Sequence, residues 1–251
     1  MKKIILSIFM SIILVVITVS SASATNKEYA IDEMNITIDI PEEYATLTRN
    51  VEDLDPSIEL FGFKNASEVE KMLKSYDAYL NTSPKTGGFG VLVTMTSNEN
   101  SKDFFDLNYL SKRELKKLAE KAMNNNSGNV KYSNYEIYKH DQAKFIVFKS
   151  VLKDEKATSY VTQYYTVYNG QTININLYSY NEPASKEAIT AQKNIVNSIK
   201  FTKSLKKPFS LLSPTGYTQI DTAIIIAVIL VAFGTIYFVS KYKKQRSSYK
   251  K

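Results

Sequence analysis

The sequence predicts an α+β domain built on a mainly antiparallel sheet with helices packed on its faces. Three observations carry this. Four alternating apolar and polar segments follow one another between Tyr135 and Tyr180, a spacing that reads as a strand meander. The last two are joined by Asn169-Gly170, and both residues tolerate the positive φ that a two-residue type I′ hairpin requires. Two segments of helical spacing, one opening at Ser111 and one running from Ala184 to Ile199, bracket the meander.

Taken in order, Ile36, Ile38 and Ile40 alternate with Asn35, Thr37 and Asp39, which predicts a strand ended by Pro41. Asn65 and Glu68 are the capping residues of a helix whose apolar positions are Val69, Met72, Leu73 and Tyr76. Phe89 to Thr96 is a short strand with Val91, Val93 and Met95 on one face. Ser111 and Glu114 form an S-x-x-E capping box, in which each side chain satisfies an orphan backbone donor, with Leu110 and Leu115 at the staple positions. Leu115, Leu118, Ala119, Ala122 and Met123 make that helix's buried stripe. The four strands are Tyr135–Lys139, Lys144–Leu152, Ser159–Tyr168 and Gln171–Tyr180. The turn sets Tyr168 opposite Gln171 and Tyr164 opposite Ile175. One side then carries Tyr160, Tyr164, Ile173, Ile175 and Leu177, and the other Val161, Tyr165, Val167, Asn174 and Tyr178. Neither side is fully polar, so the sheet is expected to be covered on both faces. The closing helix turns Ala188, Ala191, Ile195 and Ile199 inward.

The ends of the chain carry a different signal. Of 251 residues, 32 are Lys or Arg and 25 are Asp or Glu, giving a formal net charge of +7. Lys2, Lys3 and six basic residues after Ser240 supply the excess, and residues 25–218 are neutral overall. The basic residues flank apolar segments, where they set membrane orientation rather than bind nucleic acid. Ile4 to Val19 is uncharged and leads to Ala22-Ser23-Ala24, the pattern of a secretory signal peptide over residues 1–24, with an uncleaved anchor as the competing reading. Thr222 to Ser240 is apolar; nineteen helical residues span about 28 Å, close to the hydrocarbon thickness. The expected organisation is a signal peptide over 1–24, an extracytoplasmic domain over 25–203, a linker over 204–218, a transmembrane helix over 219–240 and a basic cytoplasmic tail over 241–251. Leu212-Ser213-Pro214-Thr215-Gly216 before the apolar segment has the order of a sortase signal, although Ser213 stands where Pro belongs, so removal of the helix by a sortase is an alternative. The lack of Cys and Trp and the abundance of Lys, Asn and Ile have the composition of a Gram-positive bacterium with an AT-rich genome.

The strand ending in Ile40-Pro41 with Tyr44 following, the meander around Asn169-Gly170, and the closing Asn197-Ser198-Ile199-Lys200-Phe201 together resemble the PsbP-like family of α/β/α sandwich domains, over about residues 30–202. The resemblance implies a non-enzymatic accessory or exported domain. The family has no catalytic motif to carry over, and the C-terminal membrane helix departs from its soluble members.

Residues able to do chemistry are few. The absence of Cys excludes thiolate metal sites and cysteine nucleophiles, and a single histidine excludes a multi-histidine centre. His140 and Asp141 read as an exposed polar turn, with a base-orienting pair as the alternative. Glu52, Asp53, Asp55 and Glu59 form one acidic cluster, and Glu99, Asp103 and Asp106 with Asn98 and Asn100 another; oxygen-rich loops of this kind can hold calcium, though neither matches an EF-hand. Lys112, Arg113, Lys116, Lys117 and Lys121 concentrate on the capped helix, whose polar face suits solvent or anionic polymer and lipid. Tyr165, Tyr178, Asn174 and Asn176 share a sheet face that is either covered core or an exposed surface for a sugar or peptide. Gly87-Gly88-Phe89-Gly90 precedes a strand, not a helix, and lacks the geometry of a phosphate loop. No catalytic, cofactor-binding or metal-ligating set is assigned. The expected protein is a non-catalytic binding module on the cell membrane. It crosses the bilayer once through its C-terminal helix, engages a protein or cell-envelope partner and binds no nucleic acid. A glycan- or wall-polymer-binding adhesin and, further off, an extracytoplasmic hydrolase are the alternatives.

Overall fold

A computed structural model describes residues 25–97, 99–124, 130–154 and 157–205. The signal peptide, the transmembrane helix, the basic tail and the sortase-like pentapeptide lie outside these residues, and so does nearly all of the linker. Among the described residues no helix is long and apolar enough to cross a membrane.

Two antiparallel sheets organise the domain. The larger has seven strands in the order β3-β4-β5-β9-β8-β7-β6. These are β3 (Tyr44–Thr48), β4 (Ala78–Pro84), β5 (Phe89–Thr96), β6 (Val130–Lys139), β7 (Lys144–Asp154), β8 (Ala157–Tyr168) and β9 (Gln171–Tyr180). The smaller sheet, β1-β2-β10, combines β1 (Asn26–Ile31), β2 (Ile36–Pro41) and β10 (Lys200–Phe201). The helices are α1 (Pro56–Leu60), α2 (Ala66–Ser75), α3 (Glu99–Phe104), α4 (Lys112–Asn124) and α5 (Lys186–Ser198).

The meander follows the expected register. Asn169 and Gly170 have φ of 51° and 74°, and Tyr168 pairs with Gln171 and Tyr164 with Ile175. Period-2 alternation then sends the two sides of each strand into different cores. Ile173, Ile175, Leu177 and Tyr164 pack with Ile36, Ile38 and Ile40 of β2 and with Ala188, Ile195 and Val196 of α5. On the opposite face, Leu115, Leu118, Ala119 and Ala122 of α4 cover Ile146, Phe148, Tyr165 and Val167. Val69, Met72 and Leu73 of α2 cover Leu47, Leu92 and Tyr178. The sheet is thus covered on both faces, as the mixed polarity of its strands requires.

The caps are those expected, with one shift. The Glu114 carboxylate accepts from the Ser111 amide at 2.7 Å, and Ser111 Oγ accepts from the Glu114 amide at 3.3 Å. Asn65 Oδ1 accepts from the Glu68 amide at 2.9 Å, but Glu68 reaches the Lys64 amide rather than that of Asn65. In α5 the inward set is Ala188, Gln192, Ile195 and Val196, and Ala191 is only partly buried. Gln192 replaces it because its Nε2 donates to the carbonyls of Thr162 (2.8 Å) and Ile175 (3.0 Å), tying the helix to two neighbouring strands.

β1, β3, β4 and β10 and the short helices α1 and α3 add to the elements expected from the sequence. β1 is a mostly exposed edge without apolar alternation. β3 and β4 bury polar residues: Thr46 and Thr82 hydrogen-bond through their hydroxyls at 2.9 Å, so a segment of mixed polarity becomes core.

Candidate functional site

Strand direction defines two ends of the domain. β5 pairs with β9 from Phe89↔Ser179 to Thr96↔Thr172. The β4–β5 turn therefore lies at one end and the Asn169-Gly170 hairpin at the other, about 25 Å away at strand rise. The chain leaves the domain at the hairpin end. There Asn169 Nδ2 donates to the Lys203 carbonyl at 2.7 Å, and the Leu205 amide donates to Asn169 Oδ1 at 2.8 Å. Gln142 clasps Phe201 through both its backbone amide and carbonyl.

A cleft of about 520 Å³ runs alongside α5, between that helix and the β1–β2 layer. Asp39, Glu43 and Glu187 bring three carboxylates to its walls against one lysine, Lys186, while Tyr44, Pro41, Ala191 and Ile195 supply apolar surface. Alternation on β2 creates this lining, because Ile38 and Ile40 point into the core and Asp39 points away. The backbone around Asp39 is held by Ser198, whose Oγ accepts from the Asp39 amide at 2.9 Å. Tyr44 is half-buried against Phe89; burial raises its hydroxyl pKa, and the Glu43 carboxylate raises it further. Glu187 sits in the first turn of α5, where its own backbone N–H and the Ser185 hydroxyl lower its carboxyl pKa. The cleft therefore carries negative charge beside an aromatic ring, which suits a cationic group on an apolar stem.

The residues singled out in the sequence are distributed as follows. His140 is not an exposed turn residue. It is 7% exposed, edge-on to Phe145 and Phe201, with Nδ1 accepting from the Gln142 amide at 3.1 Å. Asp141 is exposed, and Nδ1 is occupied by the backbone, so the two do not form a base-orienting pair. Burial comes from Phe201 of β10, distant in sequence, which no local pattern signals. In the first acidic cluster, Asp55 caps α1 through the Ser57 amide and Asp53 accepts from the Ala66 amide. Glu52 and Asp55 do border a smaller cleft of about 370 Å³ with Lys27 and Tyr29. In the second cluster, Asp106 caps the Leu107–Tyr109 turn through the Asn108 amide at 2.7 Å, and burial raises its pKa. Among the described residues, no group of three or more His, Cys, Asp or Glu stands in metal-binding geometry. On α4, Lys112, Arg113, Lys116 and Lys117 are exposed.

The Tyr–Asn face is core. Tyr165, Tyr178, Asn174 and Asn176 are all at most 8% exposed, so they offer no surface to a sugar. They belong to a polar belt across β4, β5, β9 and β8. Gln163 donates to Asn174 at 2.9 Å, Asn174 to Thr94 at 3.3 Å, and Tyr178 Oη to Asn81 at 2.8 Å. Burial raises the pKa of the Tyr165 hydroxyl well above its ordinary value, and that of Tyr164, on the other face, is pushed up to about 12 for the same reason. The Gly87–Gly90 run is also structural. Gly87 and Gly88 turn with φ of 81° and 100°, and Gly90 lies beneath the Tyr178 ring.

No family model matches the chain, and no curated protein does. Among solved structures it is similar to cyanobacterial PsbP (CyanoP) from Synechocystis sp., with a TM-score of 0.40 at 10% identity over 72% of this chain and 95% of that one. It is also similar to a protein from Bacteroides thetaiotaomicron, with a TM-score of 0.40 at 8% identity over 69% of this chain. There it spans 47% of the other chain, about half its length. Both are likenesses of fold alone.

Proposed function

We propose that this chain is a non-catalytic binding module tethered to the outer face of the cell membrane by its C-terminal apolar segment, with the α5 cleft as its ligand site. The carrying observation is the lining of that cleft: Asp39, Glu43 and Glu187 facing one lysine beside the Tyr44 ring. A lysine- or arginine-bearing segment of a partner matches it, the ammonium or guanidinium meeting carboxylate and the stem lying on Tyr44 and Ile195. The α5 N-terminus and Pro41 lie toward the β4–β5 turn, while the chain exits at the hairpin end. A tether at the exit would leave Glu43 and Glu187 directed away from the bilayer. No group of the chain is assigned a bond-making role. The exposed tyrosine surface that a glycan adhesin requires is buried, so that alternative has no support on this face.

The test is calorimetric titration of the full chain in nanodiscs with oligolysine and with a neutral peptide of equal length. The account expects binding of the basic peptide alone. Glu43→Lys with Glu187→Lys removes two attractive contacts and adds two repulsive ones at exposed positions, so the affinity for the basic peptide falls and its salt dependence weakens. Equal binding of both peptides, or unchanged affinity in the double variant, contradicts the assignment.

A further inference from the structure

We infer that the hairpin end of the domain rests on an anionic lipid surface, with Tyr109 and Leu205 at the headgroup level and Lys102, Lys112, Arg113 and Lys203 around them. The inference rests on the membrane-tether reading and adds an orientation to it. Tyr109 is 60% exposed and Leu205 41%, two of the few large apolar side chains left in solvent among the described residues. Both belong to one end of the fold, because Asn169 holds Lys203 and Leu205 and the next residue, Gly170, donates its N–H to the Phe105 carbonyl at 2.7 Å, just ahead of the Leu107–Tyr109 turn.

The exit point is fixed by the fold. Besides the Asn169 clasp, the Thr202 amide donates to the Asn35 carbonyl at 2.8 Å and Gln142 brackets Phe201. The chain from Leu205 to the predicted span at 219 reaches at most about 50 Å even when fully extended, so this end stays within that distance of any membrane holding that span. Four exposed basic side chains meet it there, on α3, at the start of α4 and at the exit. Among the described side chains, the acids of the same end are Asp141, in the β6–β7 turn, Asp32 and Glu33, beside β2, and Glu114, which the Ser111 amide holds in the first turn of α4. Lys112 and Arg113 follow the Leu107–Tyr109 turn directly along the chain, so contact favours the α4 side. Lysine and arginine near an anionic leaflet are attracted, and a tyrosine ring suits the interface.

The chain has no cysteine, so single-cysteine reporters are clean. The full chain carrying Asp141→Cys (hairpin end) or Thr86→Cys (opposite end) is labelled with a small fluorophore. It is reconstituted into phosphatidylglycerol-containing vesicles doped with nitroxide-headgroup lipid. The expected result is several-fold stronger quenching at 141 than at 86. The difference should shrink in pure phosphatidylcholine vesicles and when Tyr109→Ser, Lys112→Glu and Arg113→Glu are combined with the 141 reporter, circular dichroism confirming that the variant is folded. Equal quenching at both sites in chain that survives an alkaline carbonate wash overturns the docking but leaves the tether standing. Release of the chain by carbonate overturns both. A difference that persists unchanged in phosphatidylcholine or in the triple variant also overturns the assignment.

Discussion

Gly90→Ala tests whether the ring of Tyr178 organises the second face of the sheet. Gly90 and Tyr178 are cross-strand partners, and a Cβ built at 90 would come within 2.3 Å of the ring's Cζ and Oη. No real Cβ sits so close, and the ring is confined because its hydroxyl donates to Asn81 on β4 at 2.8 Å while it packs with Leu92 and the α2 core. The ring must therefore lift. Overpacking costs about 1–3 kcal/mol. Breaking the Tyr178–Asn81 bond leaves a buried amide oxygen unpaired, at about 1–3 kcal/mol more. The expected loss is about 2–6 kcal/mol, a large share of the 5–15 kcal/mol typical of a domain. Urea denaturation followed by fluorescence of the tyrosines measures it. Because one contact causes the loss, Tyr178→Ala should absorb most of the cost of Gly90→Ala in a double-mutant cycle. A loss below about 1 kcal/mol, or additive effects in the cycle, refutes the reasoning.

Further outcomes follow from other contacts. Ser111→Ala removes one half of a reciprocal cap at an exposed helix start and should cost about 1 kcal/mol by the same denaturation assay. Gln192→Leu removes two hydrogen bonds from a fully buried side chain to β8 and β9 and should cost about 2 kcal/mol. Asp106 has a raised carboxyl pKa through burial, so its protonated form is favoured in the folded state and its contribution falls as pH rises from its unfolded value of 3.8 through its folded one. Asp106→Asn keeps an oxygen to cap the Asn108 amide. It should match the native chain below that window, gain stability above it, and flatten the profile measured by thermal melts across pH. Glu114 works in the opposite sense. Ser111 lowers its pKa, so its stabilisation is present above its unfolded value of 4.5 and lost as pH falls through the folded one.

Legibility in the sequence followed how local each cause is. β8 and β9 are readable because alternation and Asn169-Gly170 fix both register and face within the segment itself, whereas β6 begins at Val130, five residues before the expected Tyr135, across a register shift between Tyr132 and Asn134. The capping box at Ser111 was readable for the same reason. β3 and β4 were not, because Thr46, Asn81 and Thr82 look like loop residues until a neighbouring strand supplies their partners. His140 needed Phe201, and Gly90 needed Tyr178, both far along the chain. The Tyr–Asn face was ambiguous in the strand alone, since the same side chains serve an exposed platform or a core under helices. The cleft was least legible. It takes Asp39 from β2, Glu43 and Tyr44 from the strand entry, and Glu187 from a helix distant in sequence. Residues 25–59 hold ten acids against Lys27 and Arg49, and that segment supplies two of the three carboxylates.

Sidedness is the claim on which the tether, the ligand site and the docked end all depend. Its direct measurement is labelling of intact cells with a membrane-impermeant maleimide, using single-cysteine variants at Thr86 in the domain and Lys250 in the tail. The account predicts that Thr86→Cys reacts on intact cells and Lys250→Cys only after permeabilisation. Labelling of Lys250→Cys on intact cells with Thr86→Cys protected contradicts it.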